Sequence, residues 1–549
     1  MSGCHGTAED QEPERVLHGQ TGRIAGFDPV ATGDLASSRA IQMVYEWLLQ
    51  YDYAARPYAL RPLLAETMPS VSEDGLTYAF TLRKGIFFCD DPCFPNGEGR
   101  EVTAEDVVYS IKRLADINTL SSGYWAVRGK IEGLDRFRSE SAIRPDCYDD
   151  PVSGLQVVDR YTLVIKLSEP YPQFPYVLAM HYFSVVPREA VDYYGDDFAS
   201  HPVGTAAYRL QEWQRNYRVE YALNPAWEQH HRSDVPPSIQ RIIHYVIGDA
   251  ATQWMMFLTG QLDLISLTPD QYDSVLLPGT GLPENLIDAG VQLHQTPNLA
   301  VYYIGFNMED PVVGTNKALR QALSCAFNHE AWEQLYNHQV KSMFGPVPLP
   351  LQAARTDKGA YGFDLEKGRR LMEEAGYPNG IDPATGRRLV LTLDSADADN
   401  AQQRQSNQLI VSFMEQLGVV LKVNYSNRPA FFERVRRGDV QLFRLSWIAD
   451  YVDEQNFLQL FYGPNAHGCN RSNYRNSDYD KLFEAFMLLN PGAERDKLAD
   501  RMVDRIVEDC PWIFLHQPVE TVLTSRRLEN YIPHAFPGGM ARYYQWNND

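Results

Sequence analysis

Hydrophobic and polar positions change period along the chain, and the clearest succession lies between Leu389 and Trp447. Leu389-Val390-Leu391-Thr392-Leu393 alternates as a strand. Asn400 to Leu417 sets Leu409, Phe413, Met414 and Leu417 on one helical stripe, which Gly418 stops. Val419 to Tyr425 is a second strand. Pro429 to Arg437 is a short helix with proline in its first turn and Gly438 after it. Val440 to Trp447 is a third strand. Strand, helix, strand, helix, strand at this spacing predicts a parallel sheet with right-handed crossovers. In such sheets ligands bind in the crevice beyond the carboxyl ends of the strands.

The third strand carries an anomaly. Its apolar run (Val440, Leu442, Phe443, Leu445, Trp447) is interrupted by Arg444 and ends in Ala449-Asp450-Tyr451. Burying either charge unpaired costs several kcal/mol, so each needs a partner. Asp450 falls at the ligand-binding edge of the expected sheet. Two readings stand side by side: the charges meet a ligand there, or Asp450 caps the following segment while Arg444 pairs with a neighbouring domain.

Elsewhere the pattern predicts a polar, mobile tail over residues 1–20 and a short strand at Ile24 to Asp28. An amphipathic helix follows at Ser37 to Leu49, and a half-buried strand at Leu76 to Arg83. Thr103-Ala104-Glu105-Asp106 is an N-cap signature opening a helix with Val107, Val108, Ile111 and Leu114 inward. Leu155–Asp159 and Leu163–Leu167 form a hairpin, so residues 36–167 hold a small α+β unit. Tyr208–Trp213 and Arg218–Leu223 are strands, and Ile239–Ile247, Asp249–Thr259 and Leu262–Ser266 read as a βαβ unit. A domain crossing is expected near Val301–Phe306, helices at Asp478–Leu488 and Glu494–Cys510, and strands at Trp512–Leu515 and Val519–Leu523.

At 549 residues the chain needs two or three domains. A net charge of -21 excludes a nucleic-acid binder, which would show a basic stripe. No run approaches the roughly 20 apolar residues of a membrane span. The seven cysteines form no C-x-x-C pair, so neither a zinc site nor another metal or cofactor is expected. Cys89 and Cys93 flank a tight Asp-Asp-Pro loop that suits a disulfide ring in an oxidising compartment, or equally a pair of reduced thiols. Met-Ser-Gly-Cys4 is like the end of a bacterial lipoprotein signal, which makes Cys4 a candidate lipidation site; an incidental thiol in a loose tail is the alternative.

Catalytic signatures are missing. There is no phosphate loop, H-E-x-x-H or G-x-S-x-G elbow. His230-His231 are adjacent and fit a solvated loop better than a metal site, and Asn470-Arg471-Ser472 is too short a pattern to argue glycosylation.

Four stretches in order carry a family likeness: Asp74-Gly-Leu-Thr-Tyr-Ala-Phe-Thr-Leu-Arg-Lys-Gly85, Thr103-Ala-Glu-Asp-Val-Val-Tyr-Ser-Ile-Lys-Arg113, Val203-Gly-Thr-Ala-Ala-Tyr-Arg-Leu210 and Trp447-Ile-Ala-Asp-Tyr451. Together, from about residue 22 to 546, the chain resembles the family 5 extracellular solute-binding proteins, the oligopeptide- and dipeptide-binding proteins of ATP-binding-cassette importers. The resemblance implies an α/β, two-lobed periplasmic binding protein (a Venus-flytrap) with an α+β domain inserted in the N-terminal lobe. Lobe I would comprise 21–35, 168–300 and 511–549, the insert 36–167, and lobe II 301–510. It further implies that Asp450 holds a peptide's free amine and that Arg444 faces its carboxylate; Trp447 and Tyr451 are candidates for the pocket floor, with core packing the alternative role for Trp447. The implied partners are a peptide and a membrane permease, and the implied protein is monomeric, periplasmic or at the cell surface, with Cys4 as a candidate lipid anchor. The segment from Phe88 to Val102 is longer than the family's usual few residues. The family also binds sugars, metal chelates and other solutes, so the fold leaves the substrate open; a peptide-sensing or chaperone-like binder and an enzyme on the same scaffold are the remaining alternatives.

Overall fold

Strands buried on both faces read as nearly continuous apolar runs, and the run ending at Trp447 folds as one. The strand Leu442–Ile448 has Leu442, Phe443 and Arg444 all buried. It lies inside the largest sheet of the protein, seen here in a computed structural model that describes residues 14–229, 236–277, 281–396, 400–534 and 540–547. The backbone of this sheet runs Leu264–Ser266, Trp512–Thr524, Ala300–Phe306, Leu442–Ile448, Val390–Ala396, Val420–Ser426. Val390–Ala396 is parallel to both Val420–Ser426 and Leu442–Ile448, as the strand-helix spacing predicted. Ala300–Phe306 runs antiparallel to Leu442–Ile448.

Alternation assigns the two faces of this sheet. Ile304, Leu391, Leu442 and Ile513 point to one side, into a core closed by the helices Lys317–Ala326 and Ala401–Glu415. Tyr303, Phe443 and Trp512 point to the other, where the Tyr303 and Trp512 rings stack at 3.4 Å. Burying each such side chain contributes about 1.5–3 kcal/mol.

Two four-stranded sheets complete the frame. One runs Val16–Thr21, Arg241–Val246, Arg218–Leu223, Tyr208–Gln214. The other is antiparallel, in the order Ser70–Val71, Thr77–Thr81, Thr162–Lys166, Leu155–Asp159. Beside it packs the helix Ala104–Ala115, opened by the capping box that Thr103 and Asp106 form. Among the described residues no helix is long and apolar enough to cross a membrane.

Several expectations are corrected. The tail expected over 1–20 is ordered from Val16 onward, because Leu17 enters the core and Val16–Thr21 pairs in parallel with Arg241–Val246. Ile24 to Asp28 is not a strand: Ala25 N–H donates to Ser37 Oγ and Phe27 N–H to the Ala199 carbonyl, so no ladder partner is left. The helix Leu35–Val44, at the start of the expected insert, packs on Tyr208–Gln214. Arg241–Val246 and Leu264–Ser266 lie in different sheets, so residues 239–266 are no single βαβ unit.

The two strands expected at Trp512–Leu515 and Val519–Leu523 are one strand with two sets of partners. Trp512–Thr524 pairs through Trp512 to His516 with Ala300–Phe306, and through Val519 to Thr524 with Gln292–Pro297. Pro518, which has no N–H to donate, sits where the partners change, its carbonyl accepting from Asn298 N–H.

The six described cysteines are free thiols, so Cys89 and Cys93 are not joined. Cys89 is turned into the core, where burial raises its thiol to about 11, while Cys93 is held toward the Asp91 carboxylate. Asn470 is buried, its amide donating to the carbonyls of Tyr462 and Tyr474, which removes it from the surface a glycan needs. Cys4 and His230-His231 lie outside the described residues.

Candidate functional site

Asp450 stands just past the carboxyl end of Leu442–Ile448, after Ala449 N–H has made a last ladder-like bond to the Leu299 carbonyl. The chain then bends into the short helix Gln455–Leu458, and Asn456 from that helix fixes the bend. Asn456 is fully buried. Its Oδ1 accepts from Trp447 Nε1–H at 2.8 Å and from the Asp450 backbone N–H at 3.3 Å. Its Nδ2 donates to Asp450 Oδ2 at 3.4 Å. One asparagine thereby sets the orientation of both the indole and the carboxylate.

No arginine, lysine or histidine among the described residues pairs with Asp450. Part of its side chain reaches a cavity, yet the surrounding protein is dense enough that desolvation pushes its pKa up to about 6, against the opposing Asn456 hydrogen bond. Such a carboxylate is relieved by a cation or a proton, and no described residue supplies the cation.

That cavity has a volume of about 240 Å³. Ile448, Ala449 and Asp450 contribute one side, and Met43, Trp47, Tyr51, Tyr58, Leu63 and Met180 much of the other. Glu46 and Arg542 also line it. His181 lies in the wall with both ring nitrogens held, one by Ser38 Oγ and the other by the Thr32 carbonyl, and burial lowers its pKa to about 4.

The other residues singled out in the sequence stand elsewhere. Trp447 and Tyr451 do not line the cavity. Trp447 faces opposite to Ile448, as alternation requires. Tyr451 is 1% exposed, its hydroxyl bonded to Gln455 and 3.4 Å from the Tyr171 hydroxyl. Beside it Val452 N–H donates to Tyr51 Oη at 3.0 Å, so this corner seals the junction rather than the pocket floor.

Arg444 also lies outside the cavity. Its guanidinium donates to Ser406 Oγ (2.6 Å), Asn407 Oδ1 (3.0 Å) and Tyr336 Oη (3.1 Å) and sits 5.2 Å over the Trp332 ring. All these partners are neutral; among the described residues no carboxylate pairs with it. His516 is fully enclosed nearby and is kept neutral by burial and then by Arg444, its Nδ1 accepting from Trp332 Nε1–H.

Asn456, Glu46 and Arg542 were not singled out in the sequence. Glu46 carried a usable signal: it is a lone charge in Val44-Tyr45-Glu46-Trp47-Leu48, the same kind of interruption that exposed Arg444. Asn456 had none, since a buried asparagine looks like any loop asparagine.

The model of the bacterial extracellular solute-binding proteins, family 5, matches residues 59–468. The chain belongs to this family. The family 5 chain is 27% identical over 523 residues to heme-binding protein A of Haemophilus influenzae, covering 93% of this chain and 88% of that one. With the dipeptide-binding protein of Escherichia coli it shares 23% over 487 residues, 87% of this chain and 84% of the other. Among solved structures it is similar to HbpA2 of Haemophilus parasuis (TM-score 0.78, 24% identity, 97% and 100% covered). It is also similar to the periplasmic binding protein DppA of Helicobacter pylori in complex with the peptide STSA (TM-score 0.74, 21% identity, 97% and 98% covered). These likenesses fix the fold of this family 5 protein as the α/β, two-lobed form of periplasmic binding proteins.

Proposed function

We propose that this family 5 protein captures a short peptide by its free amine at Asp450, between the lobes, and hands it to the permease of an ATP-binding-cassette importer. The observation that carries this is a desolvated carboxylate, without a cationic partner among the described residues, opening on a cavity lined from both sides. An ammonium group supplies the missing charge, and the peptide backbone can hydrogen-bond to the exposed strand end at Ile448 whatever its side chains. Arg444, a buried cation with only neutral partners, is the candidate for the carboxylate end of a longer ligand. A monomer with its lipid anchor at Cys4 belongs to the same reading.

The relative named for heme raises a tetrapyrrole as cargo. The cavity's size favours the peptide, since about 240 Å³ falls below the roughly 300–1,000 Å³ of pockets that enclose drug-sized ligands. His181 offers no iron ligand, both of its nitrogens being occupied, whereas His534 Nε2 in the same wall is buried without a hydrogen-bond partner among the described residues. Calorimetry with Ala-Ala-Ala, its N-acetylated form and hemin tests the choice. Free-amine peptide alone should bind; equal binding of the acetylated peptide, or binding of hemin only, overturns the amine-anchor reading.

A further inference from the structure

Resting on the reading that Asp450 holds the ligand's amine, we propose that the adjoining cavity receives an uncharged apolar or aromatic side chain of the amine-bearing residue, and that the Glu46–Arg542 ion pair in its wall shuts out a charged one.

The cavity's surface is apolar over most of its extent, with Met43, Trp47, Tyr58, Leu63 and Met180 in contact with the empty space. Its volume is right for one large side chain rather than a folded-in peptide. Tyrosines apart, the titratable groups in the wall fall into three kinds. Asp34, at the exposed mouth, is committed to capping the helix Leu35–Val44, its carboxylate accepting from Ser37 N–H at 2.9 Å. His181 and His534 are driven neutral by burial, each to about 4. Glu46 and Arg542 are the remaining two besides Asp450, and they neutralise each other.

That neutralisation is complete. Glu46 is 3% exposed; one oxygen accepts from Arg542 Nη1 at 3.2 Å and the other from Thr205 Oγ1 at 2.9 Å. Arg542 Nη2 donates to Gln50 Oε1 and to Tyr543 Oη. The two charges come from positions 496 residues apart, so the pair is assembled only by the fold. A lysine or glutamate side chain entering this space would lose its hydration and find the two buried charges, Glu46 and Arg542, already engaged with each other. A phenylalanine or leucine side chain gains by leaving water, worth roughly 10- to 150-fold in affinity over glycine. Specificity here comes from a filled counter-charge site as well as from apolar contact.

The test is calorimetry on the full chain with the tripeptides Phe-Gly-Gly, Gly-Gly-Gly, Lys-Gly-Gly and Glu-Gly-Gly, and with N-acetyl-Phe-Gly-Gly. The native protein should bind Phe-Gly-Gly at least about tenfold more tightly than the other three free-amine peptides. Arg542→Gln uncovers Glu46 and should raise Lys-Gly-Gly about tenfold relative to Phe-Gly-Gly. Glu46→Gln uncovers Arg542 and should do the same for Glu-Gly-Gly. Equal binding of all four in the native protein, or an order that neither variant changes, overturns the proposal. If circular dichroism shows that either variant does not fold, Ala207→Leu, which narrows the cavity, decides instead: it should abolish the phenylalanine advantage, and an advantage that survives overturns the proposal. The two readings fail separately. A free amine required without side-chain preference removes this inference and leaves the Asp450 anchor; a phenylalanine preference kept by the acetylated peptide does the reverse.

Discussion

Asp450 and Asp453 leave the same strand end, and the protein treats them oppositely. Asp453 is 5% exposed and answered by the equally buried Arg495 at 2.6 Å, with a further bond from Gln455 N–H. Arg495 also lies 3.9 Å over the Phe486 ring and 3.5 Å from Glu454. Asp450 has one asparagine amide and a cavity. A carboxylate whose counter-charge is built into the fold serves stability, whereas one left without it marks where the counter-charge arrives from outside. The binding role proposed for Asp450 rests on this contrast rather than on any relative.

Removing Arg495 should have the largest effect. Arg495→Ala strands the buried Asp453 beside the partly buried Glu454, and breaking such a pair costs about 3–5 kcal/mol, read as a lower denaturation midpoint. The preference for free-amine over acetylated peptide should survive. Loss of that preference with unchanged stability would exchange the roles assigned to the two aspartates.

Asp450→Asn should behave in the opposite way. Folding stability should hold or rise, while free-amine peptide loses about 2–5 kcal/mol of binding. The acetylated peptide should lose little more, closing a double-mutant cycle. A free-to-acetylated ratio unmoved by the substitution would refute the anchor.

Asn456→Ala should fall between structure and binding. It frees the Trp447 indole N–H and the Asp450 backbone N–H, at a cost of about 1–3 kcal/mol for buried groups left unsatisfied. Peptide affinity should fall less than in Asp450→Asn, and Asn456→Asp should not restore it, because the donor to Asp450 Oδ2 is lost.

The smallest effect is that of pH. The folded unliganded pKa of Asp450, near 6, lies above the ordinary carboxylate value, because burial disfavours the charge. Its contribution to the empty protein's stability is therefore fully present below the ordinary pKa of about 4 and is lost as pH rises through about 6. Binding an ammonium has the opposite sign, since it needs the ionised form. Affinity should fall by up to about tenfold per pH unit below 6, and the fall should vanish in Asp450→Asn.

Local period carried much of the fold. The alternation at Leu389–Leu393 and the stripe at Leu409, Phe413 and Met414 sufficed for the parallel sheet, since each face of an element is decided within a few residues. Asp450 and Arg444 stood out because a charge in an apolar run is a local anomaly. Pairings over long distances were not legible. Val16–Thr21 contains Gly19 and three polar residues and becomes a strand only beside Arg241–Val246. Pro518 divided Trp512–Thr524 into two strands on paper, whereas both halves hydrogen-bond continuously to different partners. Whether a buried charge has a partner is equally invisible: nothing near Asp453 in the chain announces Arg495, and nothing near Glu46 announces Arg542.

The shared strand Trp512–Thr524 has a consequence for the order in which the molecule is made. The larger sheet has this segment as its common rail, so Gln292–Pro297 and Leu264–Ser266 wait for residues that leave the ribosome more than two hundred positions later, and Ala300–Phe306 waits as long for the second of its two partners. Loops of that length close late and slowly. Through most of its synthesis the chain lacks the element on which Ala300–Phe306 and Gln292–Pro297 both pair.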